Sequence, residues 1–386
     1  VRTIANTKFT NMKNQTMNEY GKMLRTGLGI AKECPRCLFT DDVVKIPESG
    51  QCEMCDLHDQ QKNHEREPWS NVLSRIKKKG EGRKYDCLVG VSGGEDSSVL
   101  LYLAVKVWNL RVLVLHINNR TNRPQATNNI QLLRDKLNVN FIEYFPAKDE
   151  YDDLTDSLLK AGVQDADIAN DVNMSKLTFK FAIDNGIKTT LNGHSFREEG
   201  SSPKAWSFLD TTYLKDIYKK FTGKELYYYE TLSVWDQIYA SLIGMYRVSP
   251  YHYDAHNRQT VLNILKSWGW QDYGGKHNEN IYTAFVGNFL LPTKFKIDKR
   301  ITYLSAAIRE GNMSKEFARE ILSKPSEFDF NDLGSRKDHI LHLANSSKIR
   351  PRSDYKQTNY KKWKFVFWLL VKLNVVPQSM YQKYCK

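Results

Sequence analysis

Fourteen residues, Tyr85–Ser98 (YDCLVGVSGGEDSS), constrain this chain more than any other stretch. Cys87, Leu88, Val89 and Val91 form an apolar run suited to a strand buried on both faces. The run breaks into two glycines, two acids and three hydroxyls, and then Val99, Leu100, Leu101 and Leu103 resume at helical spacing. The order is strand, tight turn, helix start. Gly93 and Gly94 let backbone N–H groups approach an anion closely, Ser92, Ser97 and Ser98 add hydroxyl donors, and a helix N-terminus favours negative charge. Such a turn suits phosphate.

The common nucleotide loop GxxxxGK[ST] is absent, and no lysine follows the glycines. Ser92–Ser97 instead reads SGGxDS, which resembles the PP-loop of the ATP pyrophosphatase superfamily. The resemblance implies cleavage of ATP between its α and β phosphates, with AMP placed on a substrate oxygen and pyrophosphate leaving. A glycine turn in an unrelated α/β protein is the competing reading; the order of strand, motif and helix favours the first.

After the loop come RVLVLHI (Arg111–Ile117), FIEYF (Phe141–Phe145) and Thr189–Leu191, separated by helical segments over Val99–Trp108 and Gln125–Leu137. This alternation predicts an α/β fold, a doubly wound parallel sheet of the PP-loop ATP pyrophosphatase type. Ligands of such sheets sit at the carboxyl ends of the strands, which gathers Ser92–Ser98, His116–Asn119 and Gly193–Glu199 around one crevice. The expected plan is a tail over 1–30, a zinc ribbon over 31–60, a helical connector over 61–84 and the PP-loop domain over 85–255. A helical substrate-binding region over 256–330 and a basic, aromatic C-terminal segment over 331–386 complete it. Within the last, KKWKFVFWLLVKL (Lys361–Leu373) reads as a membrane-surface helix or as a helix packed on this chain or a partner.

The ribbon rests on Cys34-Pro-Arg-Cys37 and Cys52-Glu-Met-Cys55, two CxxC pairs with fourteen residues between them. Four thiolates at this spacing predict a closed, structural zinc site; two disulfides are the alternative. Pro47 and Gly50 suit a short strand and turn between the knuckles. Cys87 falls inside the predicted strand, so no cysteine is left for nucleophilic work beside the crevice.

At 41% hydrophobic and 12% aromatic residues the chain is globular, with no run of the ~18 apolar residues that a membrane span needs. The first thirty residues lack the apolar core of a secretory signal, so the expected location is the cytoplasm. The net charge of +13 fits nucleic acid, small anionic substrates or a solvated basic surface, and does not choose among them.

By position, PP-loop proteins suggest further roles. His116 and Gly193 match nucleotide neighbours. Glu198, with Glu199 as its substitute, matches an acid that assists Asp96 with magnesium. Downstream, Gly274-Gly275 is followed by Lys276, His277 and Glu279 inside an aromatic sequence, with Arg300 further on, and this reads as a substrate or phosphate contact surface.

Taken together, the CxxC pairs, YDCLVGVSGGEDSS, LVLHINN, LNGH, SPKAWSF, SVWDQIY, the stretch Trp268–Arg300 and LSAAIREGNMS resemble the N-acetyl sugar amidotransferase family, the WbpG and PseA type of surface-polysaccharide enzymes. The resemblance runs from about Glu33 to Pro325. Position 95 carries Glu where the family leads one to expect Lys, which alters the charge beside the triphosphate.

The family implies ATP-dependent conversion of an acetamido group on a nucleotide-linked sugar into an acetamidino group, in lipopolysaccharide O-antigen synthesis. It also implies a separate class I glutaminase subunit and a barrel subunit resembling imidazole glycerol phosphate synthase, which together supply ammonia. The expected roles follow: Ser92, Gly93, Gly94, Asp96, Ser97 and Ser98 for pyrophosphate and magnesium; His194, Lys204, Lys276 and Arg300 for phosphates, sugar carboxylate or charge developing at phosphorus; Trp206, His277 and Glu279 for substrate. Asp171 is expected to orient the acetamido nitrogen or take a proton from ammonia, with a helix N-cap as its structural alternative. Nucleic acid is not an expected partner and a homodimer is a possibility. The rival enzyme reading is a tRNA-modifying PP-loop protein, a thiolase or a lysidine-type ligase.

Overall fold

The fold is described from a computed structural model, over residues 31–386 apart from 49, 204, 254–256, 374, 377 and 386. The predicted tail and Lys204 therefore lie outside the described residues. The chain divides into two compact units. One comprises residues 31–66, His194–Phe208 and Tyr282–Lys337; the other comprises Glu67–Gly193, Leu209–Ile281 and Asp338–Lys386.

The second unit holds the sheet. Its strands are β1 (Cys87–Gly90), β2 (Val112–Ile117), β3 (Asn140–Tyr144), β4 (Thr189–Leu191) and β5 (Tyr246–Val248), in the order β3-β2-β1-β4-β5. Every pairing is parallel: Val89 lies opposite Val114 on one side and Leu191 on the other. Alternation along the strands feeds two cores. Val89 and Val114 pack with Val72, Ile76, Val99, Leu100 and Leu133, whereas Leu88, Leu113 and Leu115 face Leu177 and Ile187. Helices thus cover both faces, as the apolar runs of β1 and β2 require.

The chain leaves β1 toward β2 and β3 on one side, then crosses to β4 and β5 on the other. The reversal falls between β1 and β4, and the turns leaving these two strands therefore face the same crevice. The helix after β1 begins at Glu95, four residues before the apolar periodicity predicts, because the acids Glu95 and Asp96 fill its first turn. It runs to Tyr102 and widens over Leu103–Val107, where Trp108 N–H bonds Leu103 C=O at 2.9 Å. The C-terminal segment wraps this same unit: Arg352 forks onto the buried Asp165 carboxylate at 2.5 and 2.8 Å.

The first unit contains the cysteine knuckles and the helices Glu53–Asn63, Arg300–Arg309 and Lys315–Ser323. Between the knuckles no strand forms among the described residues. Pro47 has no N–H to give a ladder, and an antiparallel bridge, Glu33 to Thr40, spans the first knuckle. The second knuckle runs directly into the helix that carries Cys55.

Candidate active site and metal centre

Gly93 has φ +80°, and a Cβ there would stand 2.3 Å from the Ala126 carbonyl oxygen; only glycine fits. The hydroxyl of Ser97 accepts from Ser92 N–H at 3.2 Å and donates to Gly94 C=O at 3.1 Å, closing the turn on itself. Asn129, buried on the helix Pro124–Leu137, donates to Gly93 C=O at 3.1 Å and braces the turn from outside. On the β4 side a Cβ at Gly193 would lie 3.5 Å from the Asp96 backbone, so Gly193 brings the two strand ends together.

The segment Trp270–Glu279 lies over this turn. Trp270 Nε1 donates to Ser98 Oγ at 3.1 Å, Gln271 N–H donates to Asn129 at 2.7 Å, and Glu95 N–H donates to the Tyr273 hydroxyl at 2.9 Å. Burial, reinforced by the nearby Glu279 carboxylate, pushes the Tyr273 hydroxyl pKa well up, so it stays protonated. Glu279 itself reaches the turn: Ser92 Oγ donates to its Oε1 at 3.2 Å, and a Cβ on Gly94 would come within 2.9 Å of the same oxygen. Its Oε2 is buried and finds no hydrogen-bond partner among the described residues. A carboxylate oxygen in that state, beside a turn suited to phosphate, fits a cation.

Arg258, on the helix Arg258–Trp268, clamps both acids of the turn, bonding Glu95 at 2.7 Å and pairing with Asp96. Its guanidinium lies over the Tyr251 ring, and the Tyr251 hydroxyl donates to Asp96 C=O at 2.8 Å.

Several expected residues are placed differently from their predicted roles. Ser98 is fully buried, and its hydroxyl donates to Gly94 C=O at 2.7 Å, so it holds the turn together and does not face a phosphate. His116 is buried at the end of β2. Its Nδ1 donates to Val91 C=O at 2.8 Å and its Nε2 accepts from Asn122 at 3.2 Å, while burial lowers its pKa and keeps the ring neutral. It braces the floor of the crevice. Asp171 is exposed in the first turn of the helix Ile168–Asp184, whose cap is Asp167. Lys276 and His277 belong to the turn Gly274–Glu279, pinned by Asn278 Nδ2 on Gly274 C=O at 2.6 Å, so they share a loop with the Glu279 contact.

In the other unit, the His194 ring pairs with Glu199, and Glu198 occupies the same short turn. Trp206 is buried 5.7 Å from the Phe39 ring, and thus belongs to the core around the ribbon and not to a substrate surface. Arg300 is held by Asp298, with contacts of 2.7 to 3.1 Å, and reaches Ile321 C=O at 3.3 Å; it fastens two helices.

The four cysteines converge. Their sulfurs lie within 4.8 Å of one another, with Cys37–Cys52 at 3.5 Å, Cys52–Cys55 at 3.6 Å and Cys34–Cys55 at 3.9 Å. Disulfide sulfurs would be about 2.05 Å apart. Four sulfurs bound tetrahedrally at about 2.3 Å are about 3.8 Å from one another, so the cluster fits a single metal ion. The buried Arg309 directs Nε to Cys55 Sγ at 3.3 Å and Nη2 to Cys37 Sγ at 3.4 Å. A guanidinium there offsets the negative charge that four thiolates leave around a divalent ion.

Sequence reasoning assigns no role to Arg258, Tyr273 or Arg309, although Tyr273 and Arg309 lie within Trp268–Arg300 and LSAAIREGNMS, two of the stretches that carry the family resemblance. Arg309 leaves a further trace: with Thr302 and Ser305 it makes a polar stripe at helical spacing, and Ser305 accepts from Leu38 N–H in the ribbon at 3.3 Å.

Family models match two parts of the chain. Residues 279–369 match the C-terminal domain of LPS biosynthesis protein WbpG-like proteins, and residues 86–163 match the phosphoadenosine phosphosulfate reductase domain. No curated protein matches. Among solved structures, the chain is similar to the U34-tRNA thiolase NcsA from Methanococcus maripaludis with its [4Fe-4S] cluster, at 12% identity over 85% of this chain and 100% of that one, TM-score 0.30. It is also similar to NMN synthetase from Francisella tularensis, at 13% identity over 55% of this chain and 92% of that one, TM-score 0.28. A third similarity is to the NH3-dependent NAD synthetase from Campylobacter jejuni subsp. jejuni NCTC 11168 in complex with the nitrate ion, at 12% identity over 60% of this chain and 96% of that one, TM-score 0.26. Scores this low say nothing about activity. The sheet order, the SGGEDS turn and the match over 86–163 agree on a PP-loop nucleotide domain, and residues 279–369 carry a WbpG-like C-terminal domain.

Proposed function

We propose that this protein is an ATP-dependent amidotransferase that turns the acetamido group of a nucleotide-linked sugar, a UDP-linked 2,3-diacetamido uronic acid, into an acetamidino group during synthesis of a surface glycan. One contact carries the proposal: Glu279, where the WbpG-like match begins, sets its carboxylate on Ser92 and Gly94 of the ATP turn. The family-specific segment and the nucleotide site are thereby joined.

The chemistry follows from the weakness of an amide as an electrophile. The acetamido oxygen attacks the α-phosphorus of ATP, the α–β phosphoanhydride breaks, and pyrophosphate departs. The product is an O-adenylated imidate, whose carbon accepts ammonia; the C–O bond then breaks, AMP leaves with the former acetamido oxygen, and a proton passes to solvent. Backbone N–H groups of Gly93 and Gly94 with the hydroxyls of Ser92 and Ser97 cradle the phosphates, and Arg258 is the cation at the mouth. Asp96 and Glu279 would hold the magnesium ion that accompanies ATP, and a bound ion offsets charge on the departing pyrophosphate. The cysteine cluster fits structural zinc.

Ammonia is supplied by a class I glutaminase through a barrel subunit. The cysteines support both an external ammonia source and a distinction from thiolases: four form the metal cluster, and Cys87 and Cys385 are buried. The test is ATP turnover with magnesium and ammonium, supplying either the UDP-linked sugar or bulk tRNA. AMP, pyrophosphate and a sugar about one mass unit lighter, oxygen replaced by NH, are expected. Pyrophosphate release stimulated only by tRNA would overturn the assignment.

A further inference from the structure

Residues 355–386 contain seven lysines and no acidic residue, more than half of the net +13. Here a single turn, Lys361–Trp363, leads into the helix Lys364–Lys372. One side of that helix is packed on its own unit. Phe367 is buried, stacks on Tyr360 at 4.9 Å and clusters with Val234, Ile238 and Met380.

The other side is apolar and exposed. Phe365 is 73% exposed, Trp368 45%, Leu369 44% and Leu373 62%, a stripe at i, i+3, i+4 and i+8. Phe365 and Trp368 stack on each other at 5.9 Å, and the Lys372 ammonium lies 5.8 Å over the Trp368 ring. On the neighbouring helix, Val234–Leu242, the inward Val234 and Ile238 belong to the Phe367 cluster, while Trp235, Tyr239 and Leu242 are exposed. Packing of this unit does not account for so many exposed large side chains.

The charge around the stripe identifies what covers it. Lys361, Lys362, Lys364 and Lys372 stand on or beside the helix, and no acid lies anywhere in the segment. A second copy of this chain would bring lysine against lysine. The core of a protein interface is depleted in lysine. An anionic bilayer satisfies both features, taking the aromatic stripe at the headgroup boundary while lysines reach the lipid phosphates. The helix is too short to span a membrane, so contact is confined to one leaflet.

We propose that this face, Trp363–Leu373 with Trp235, Tyr239 and Leu242, docks the protein on the surface of an anionic phospholipid bilayer. The inference is independent of the sugar reading. It is tested by sedimenting the full chain with vesicles of phosphatidylglycerol and phosphatidylethanolamine, and with neutral phosphatidylcholine vesicles. Binding is expected to be at least about tenfold tighter to the anionic vesicles and to weaken as salt is raised.

Phe365→Ser with Trp368→Ser is expected to abolish sedimentation without moving the thermal transition, since both side chains are exposed. Lys361→Gln with Lys362→Gln is expected to weaken it on the order of fivefold per lysine. Absence of anionic-vesicle binding, equal binding to neutral vesicles, or binding unchanged in the Phe365→Ser, Trp368→Ser variant overturns the proposal. So does a concentration-dependent dimer that the same variant dissociates, in the absence of lipid binding.

Discussion

Arg258 bridges the two acids of the phosphate turn, donating to the Glu95 carboxylate from Nε at 3.1 Å and Nη2 at 2.7 Å while pairing with Asp96. The turn has no basic residue of its own between Ser92 and Ser98, yet its ligand is a polyanion. Arg258, 15% exposed and stacked on Tyr251, supplies the missing cation from a distant helix, and Glu95 anchors it there. Arg258→Gln should raise KM for ATP by roughly 10- to 100-fold, the worth of a charge-assisted hydrogen bond. Adding Glu95→Lys to that variant should recover part of the loss, because it places a cation directly on the turn. An unchanged KM in Arg258→Gln contradicts this assignment.

Glu279 presents one oxygen to Ser92 and buries the other without a hydrogen-bond partner among the described residues. If magnesium completes this carboxylate, Glu279→Gln should raise the magnesium concentration needed for half-maximal AMP formation by about tenfold, with a smaller effect on the sugar KM. Tighter ATP binding in the variant, at unchanged magnesium dependence, would instead mean that the carboxylate merely occupies the phosphate position.

The cysteine cluster should retain one zinc ion per chain. Cys37→Ser should lose it, and the variant should melt earlier. Arg309→Met removes the buried guanidinium from Cys37 and Cys55, and should weaken zinc retention against a competing chelator by about tenfold. Equal retention in Arg309→Met and the parent would show that the charge of Arg309 does not matter to the metal.

His116 gives a pH dependence with a fixed sign. Burial lowers its folded pKa below the ordinary value of 6.5, so between the two values the unfolded chain holds a proton that the folded chain lacks. Stability from this group is complete above about pH 6.5 and is lost as pH falls through the folded pKa. The melting temperature should therefore drop as pH is lowered from about 6.5, and His116→Gln should make that drop shallower. His58, whose pKa burial also lowers despite its 2.7 Å contact with Glu310, acts in the same direction, so some slope remains. Identical slopes in the variant and the parent contradict the account.

What the sequence revealed was local. The β1 turn, with its glycines and Asp96, follows from consecutive residues, and the four cysteines follow from two short spacings. Thr189–Leu191 is legible because three apolar or β-branched residues precede Asn-Gly. The misreadings come from long-range packing. Ser98 looks like any other hydroxyl in the motif, but it lies four residues after Gly94, and one helical turn aims it at that carbonyl. Trp206 and Arg300 read as surface groups until Phe39 and Asp298 are set against them. Arg258 stands 163 residues from Glu95, and no periodicity relates the two.

The claim that the acetamido oxygen is the nucleophile is tested most directly by isotope transfer. With 18O in the acetamido carbonyl of the UDP-linked sugar, and with ATP, magnesium and ammonium supplied, turnover should place the label in the phosphoryl group of AMP. Unlabelled AMP with 18O retained in the sugar would contradict the account.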